Sequence, residues 1–227
     1  MTTTTRTPTL LALALFALAP AAPAFAQTEP PPDDDPAAFE DPAAAAGPGV
    51  AWRLGLRLGA FDMINSSDSY DAVYGEPMPQ LGIALEAQVR RWLIGLTWDH
   101  GEVDGEQVLP SRPPRSTGVG ETLTYRPLSL TAAWVINPEA RWRWHVGAGA
   151  TLLDWEDEGA SRSADGSDTG GHVVGGVRRD RRGWTFGGEL RWSTIPDAVG
   201  EAGITRFFGD DDLGGVALHV VALYRIR

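Results

Sequence analysis

From residue 50 onward the chain alternates apolar with polar or small side chains, in runs longer than the about five or six residues usual for a strand. Trp52, Leu54, Leu56, Leu58 and Ala60 fall on one side, and Arg53, Gly55, Arg57 and Gly59 on the other. Successive strand side chains point to opposite faces, so this period of two builds a sheet with one apolar and one polar face. The arrangement recurs over Leu81–Arg90, Trp92–Trp98, Thr122–Ile136, Trp142–Leu152, Trp184–Ser193 and Val216–Ile226. Gly171–Arg179 is the least regular run, with valines on both faces, and Pro127 is expected to mark a bulge or an unpaired strand end. No helical period competes over a comparable length.

The connections alternate as well. Arg90-Arg91, Asn137 to Ala140 and Asp180 to Gly183 are tight, whereas Asp62 to Gln80, Gly101 to Glu121, Trp155 to Gly170 and Thr194 to Leu213 are long. An even-stranded membrane barrel puts short turns at its periplasmic end and long loops outside, which a soluble sandwich has no reason to do. Charge follows the same division. Arginines (Arg90, Arg91, Arg141, Arg179, Arg181, Arg182) surround the short turns, and acids such as Asp68, Glu102, Asp104, Glu106, Asp165 and Asp210 fill the long connections.

Alternation alone is symmetric between a barrel with its apolar face to lipid and a soluble β-sandwich or lipocalin-like binder with that face inward. Three features favour lipid. Residues 1–26 have the parts of a signal peptide: Arg6, an apolar stretch Leu10–Leu18 too short to span about 30 Å of hydrocarbon, and Ala24-Phe25-Ala26 ahead of a predicted cleavage. Tryptophans form two expected interfacial girdles: Trp52, Trp92, Trp142, Trp144 and Trp184 with Tyr224 near the short turns, and Trp98, Trp155 and Trp192 near the long loops. The opposite face is rich in Gly, Ala, Ser and Thr with scattered charge, as suits the crowded inside of a narrow barrel.

With Trp52-Arg53-Leu54-Gly55-Leu56-Arg57-Leu58-Gly59-Ala60, Leu128-Ser129-Leu130, His145-Val146-Gly147-Ala148-Gly149-Ala150 and the closing Leu213-Gly214-Gly215-Val216-Ala217-Leu218, the chain resembles small outer-membrane β-barrels of the OmpA, OmpX and OmpW type over residues 50–227. The resemblance implies an all-β fold, a single antiparallel up-and-down transmembrane barrel of about eight strands, with no catalytic residues. It also implies outer-membrane lipid and the outer-membrane assembly machinery as partners, although Tyr224-Arg225-Ile226-Arg227 stands where the family ends on an aromatic residue. The expected organisation is a signal peptide (1–26), a Pro/Ala/acid-rich mobile linker in the periplasm (27–49) and the barrel (50–227) as a monomer.

Arg53, Arg57, Glu86, Arg90, Asp99, His145, Glu189, Arg191, His219 and Arg225 are expected to point inward and form a salt-bridged lumen network, because a lone charge held from water costs several kcal/mol or more. Glu86 and Glu189 are expected to have arginine partners. A narrow conduit for small apolar molecules, as the OmpW resemblance implies, is the alternative role.

Catalysis is not expected. Four histidines (His100, His145, His172, His219) leave a lipid-modifying barrel enzyme open, but no Gly-x-Ser-x-Gly elbow or His-x-Ser arrangement occurs. No cysteine is present for lipidation or thiolate metal sites, and no cofactor or metal is expected. Glu156-Asp157-Glu158 and Asp210-Asp211-Asp212 would suit divalent cations bridging to lipopolysaccharide phosphates, but lack a calcium loop's ligand spacing and read as hydrophilic loops. Gly147 and Gly149 lie within a strand with no following Lys-Ser/Thr, and serve packing. A net charge of -11 excludes nucleic acid despite Arg141-Trp142-Arg143-Trp144.

Overall fold

The computed structural model describes residues 49–226 except 110, 112, 160–162 and 200–202, and only the backbone of 203 and 204. The expected signal peptide and its cleavage site, with the linker up to residue 48, lie outside the described residues.

Eight strands follow one another: β1 (Ala51–Asp62), β2 (Met78–Val89), β3 (Trp92–Leu109), β4 (Arg115–Val135), β5 (Arg143–Gly159), β6 (Ser163–Arg181), β7 (Trp184–Thr194) and β8 (Val216–Ile226). Each pairs antiparallel with its neighbour in sequence, and β8 returns to β1 through Trp52↔Ile226 to Asp62↔Val216, closing the barrel. Closure leaves no sheet edge along the paired rows, the condition for strands to cross hydrocarbon. Two of the three tight turns use left-handed backbone. Arg90 (φ 54°) sits in the first, and Arg182 (φ 50°) with Gly183 (φ 84°) in the third, matching the turn twist to that of the flanking strands.

Two expected loops are largely strand. Pairs from Glu102↔Thr124 to Leu109↔Arg115 carry β3 and β4 through most of the segment Gly101 to Glu121, and pairs to Glu158↔Ser163 do the same for β5 and β6. The β geometry continues, but Glu102, Asp104 and Glu106 replace the outward apolar residues, so the hydrophobic alternation ends before the strand does. β3 to β6 therefore extend as a flange beyond the shorter β1, β2, β7 and β8. Pro127 marks neither a bulge nor an end. It lies inside β4 opposite Leu153, the β3–β4 ladder skips Asp99 and His100, and the register shift falls between Glu106 and Val108. The other two long connections carry short helices, α1 (Ser67–Val73) after a 3-10 turn and α2 (Gly203–Phe208).

The side-chain distribution is inverted relative to a soluble protein. Leu58 and Val220 are 64% exposed on the outer wall, while Arg57 and Asp99 inside are 1% exposed. Above this charged lumen, at the long-loop end, Phe61, Met63, Tyr70, Met78, Tyr125 and Leu153 close into an apolar cluster.

Candidate functional site

The lumen is built in tiers by inward positions two residues apart on each strand. At the short-turn end, Gln88 Oε1 accepts from Arg53 Nη1 (3.0 Å) and Arg143 Nη1 (3.3 Å), and the Asp180 carboxylate pairs with both guanidiniums. In the next tier the Arg178 guanidinium forks between Glu86 and Glu189, and Glu189 also meets His145 Nε2 at 3.1 Å. Arg57 then pairs with Asp99 (3.3 Å) and donates to His219 Nδ1 (3.0 Å). Because Arg only donates, His219 Nδ1 accepts, so its proton sits on Nε2 and is donated to Gln80 Oε1 (3.1 Å). Arg191 donates to Ser129 (3.1 Å) and Thr97 (3.2 Å), and His172 is held between Thr131 and Thr151, each 2.9 Å away.

Of the residues expected here, Arg53, Arg57, Glu86, Asp99, His145, Glu189, Arg191 and His219 are buried in the lumen. Arg225 is half-buried at the rim beside Arg53 on β1. Arg90 is not inward. Its left-handed turn conformation takes it out of the strand's alternation and leaves it exposed. Sequence reading missed Arg178, the hub of the second tier. Its parity with His172 and Val174 on β6 was the available signal, hidden by valines on both faces. Gln80, Gln88, Arg143 and Asp180 were likewise left out of the expected network, whereas the inward serines and threonines were expected as its lining.

The tiers leave little space. Among the described residues, lumen voids lined among others by Arg57, Arg143, Arg178, Arg191 and Asp99 measure about 10, 10 and 20 Å³. Each holds about one water. Gly149 belongs to this packing: a β-carbon there would stand 2.0 Å from Leu130 O and 2.7 Å from the His172 ring.

The cap is tied down by polar contacts. Asp212 accepts from Asn65 Nδ2 (3.1 Å), Thr194 Oγ1 and the backbone N–H of Ile195 (2.7 Å) and Gly214 (2.6 Å), while Asp210 accepts from Ser69 N (2.9 Å). The Asp210-Asp211-Asp212 run is thus a latch between the first and fourth connections instead of a free hydrophilic loop. Glu156-Asp157-Glu158 lies in β5, where Asp157 faces inward and accepts from Tyr74 Oη (2.9 Å). Glu121, on the inner face of the flange beyond the apolar outer band, is raised by burial and by the neighbouring Asp157 to about 7. Burial and the same carboxylate push the Tyr74 hydroxyl above the ordinary tyrosine range. Among the described residues no three acidic or histidine side chains converge as metal ligands.

Trp52, Trp92, Trp98, Trp142, Trp144, Trp184, Trp192 and Tyr224 are exposed on the outer wall. Trp155 is not. It faces inward against the apolar cap, with its indole N–H donated to Asp168 (3.0 Å). Trp134 joins the short-turn girdle instead, edge-on to its cross-strand partner Trp92 at 5.1 Å.

An apolar outer wall around a ring of eight neighbour-paired strands with charge sealed inside decides the architecture. The fold is that of the small outer-membrane β-barrels. Solved structures resembling it include Neisserial surface protein A (7% identity, 78% of this chain and 96% of that one, TM-score 0.49). Others are the attachment invasion locus protein Ail of Yersinia pestis (12%, 78% and 97%, 0.44) and the outer membrane protein AlkL (14%, 88% and 97%, 0.41). No family model matches the sequence, and no curated protein does.

Proposed function

We propose that the chain is a closed outer-membrane barrel with a structural, adhesive or surface-interaction role, exposing its acidic flange outside and its arginine-rich turns to the periplasm. The carrying observation is the combination of an exposed apolar wall with a lumen whose voids hold about a water each. That filling supports a plug over a conduit. A non-catalytic role fits the lumen histidines, since His145, His172 and His219 are engaged with Glu189, two threonines and Arg57 inside the barrel.

Surface labelling tests this reading. Because the sequence has no cysteine, Asp104→Cys on the flange and Arg181→Cys at the short-turn end report without background. An impermeant maleimide added to intact cells labels the first and spares the second until the cells are opened. The reverse order contradicts the proposed orientation, and equal labelling of a protein recovered in the soluble fraction contradicts the proposed location.

A further inference from the structure

We infer that the short-turn end of the barrel is a docking surface for the phosphates of anionic phospholipids in the adjoining leaflet, an inference that rests on the membrane reading above. Arg90, Arg91, Arg141 and Arg181 are exposed at this end and Arg179 is half-exposed. Their acidic company is sparse: Glu139 is exposed, and Asp180 already pairs with Arg53 and Arg143. The outward faces of the opposite flange are net acidic instead, with Glu102, Asp104, Glu106, Glu158 and Asp165 exposed beside Arg115, and with Arg126 already paired to Asp154 and Glu156. Anionic headgroups are therefore attracted to one end and repelled from the other.

The geometry favours lipid over a soluble acidic partner because the cations are mounted on lipid-facing aromatics. The Arg91 guanidinium lies 5.8 Å from the Trp134 ring centre, and Arg179 lies 5.5 Å from that of Trp142. Both indoles are exposed on the outer wall. Such indoles settle at the headgroup boundary, so the guanidiniums they carry are held at the depth of the phosphates. Arginine's planar donor fork matches phosphate oxygens, and basic residues at this depth attract anionic headgroups.

The test uses the full chain inserted in phosphatidylcholine vesicles carrying a minor fraction of brominated phosphatidylglycerol or, separately, brominated phosphatidylcholine. Most of the tryptophans lie at the short-turn end, so quenching reports the lipid found there. The expected result is a local enrichment of phosphatidylglycerol of about fivefold or more, the equivalent of about 1 kcal/mol. It falls toward unity in about 1 M salt, where the Debye length is about 3 Å, and in the double variant Arg91→Gln/Arg179→Gln. Equal quenching by the two lipids from a barrel that keeps its heat-dependent gel mobility overturns the inference and leaves the membrane reading standing. Unchanged preference in the double variant also overturns it. Binding of poly-glutamate without enrichment of phosphatidylglycerol replaces the lipid with an acidic polypeptide. Absence of both quenching and the mobility shift removes the membrane reading itself.

Discussion

Arg178→Ala is the sharpest test of the lumen. The Arg178 guanidinium is the ion-pair partner of both Glu86 and Glu189, and all three side chains are at most 7% exposed. After truncation Glu189 keeps His145 at 3.1 Å and Arg57 at 3.9 Å, but Glu86 loses its direct ion-pair partner. Orphaning one partner of a buried pair costs about 3 to 5 kcal/mol. Entry of water beside the existing void of about 10 Å³ brings the expectation toward the lower bound, about 3 kcal/mol. Arg126 is the internal control, since it too pairs with two carboxylates, Asp154 (3.1 Å) and Glu156 (3.5 Å), but on the outside with its side chain 33% exposed. Arg126→Ala should therefore cost less than about 1 kcal/mol. The assay is urea unfolding of the vesicle-inserted barrel, followed by tryptophan emission and gel mobility. The double variant Arg178→Met/Glu86→Met should recover most of the loss, because an apolar replacement of a buried pair is often neutral. An Arg178→Ala cost no larger than that of Arg126→Ala would refute the premise that Glu86 is held in the lumen by this one guanidinium.

Three further outcomes follow from the outer wall and the cap. Leu85→Arg, outward in β2, should cost about 2 to 4 kcal/mol of insertion free energy if that wall meets lipid near the midplane, measured by the same titration. Glu121 binds its proton more tightly in the folded flange, about 7 against its ordinary 4.5, so the stability it lends is greatest below about 4.5 and is lost as pH rises through about 7. The protection factors of the Tyr70–Tyr74 amides, taken relative to the base-catalysed intrinsic exchange rate, should accordingly fall from pH 5 to pH 8 in the wild type, with a flatter profile in Glu121→Gln. Asp212→Ala strands the donors of Asn65, Ile195 and Gly214 at about 1 to 3 kcal/mol, so limited proteolysis should cut the first and fourth connections sooner while the barrel keeps its mobility shift.

Strands were legible in the sequence where the outer wall is apolar, because an apolar outer face and packed polar groups on the inner one force a period of two. Beyond that band the outward positions of β3 and β5 turn acidic, so Glu102, Asp104, Glu106 and Glu156 looked like loop although the ladder continues through them. Parity placed most lumen charges correctly on the inner face, but Arg90 shows that it fails where a turn residue has positive φ. Arg178 shows that it fails where small and β-branched residues occupy both faces of a strand. The cap was not legible, since Tyr70, Leu123, Leu153 and Ile195 meet only after the barrel closes. Trp155 carries the same lesson: its residue type suits a membrane interface, whereas its parity with Leu153 turns it inward.

Whether the exposed apolar wall meets lipid is decided by fractionation of cells producing the full chain, with electrophoresis of the unboiled and boiled membrane fraction. The barrel described here predicts recovery with the outer membrane and a heat-dependent change in mobility, because the closed ladder resists detergent until heated. Recovery as a freely soluble protein with no mobility shift would contradict it, since no soluble fold leaves Leu56, Leu58, Leu130 and Val220 exposed while sealing Arg57 and Asp99 inside.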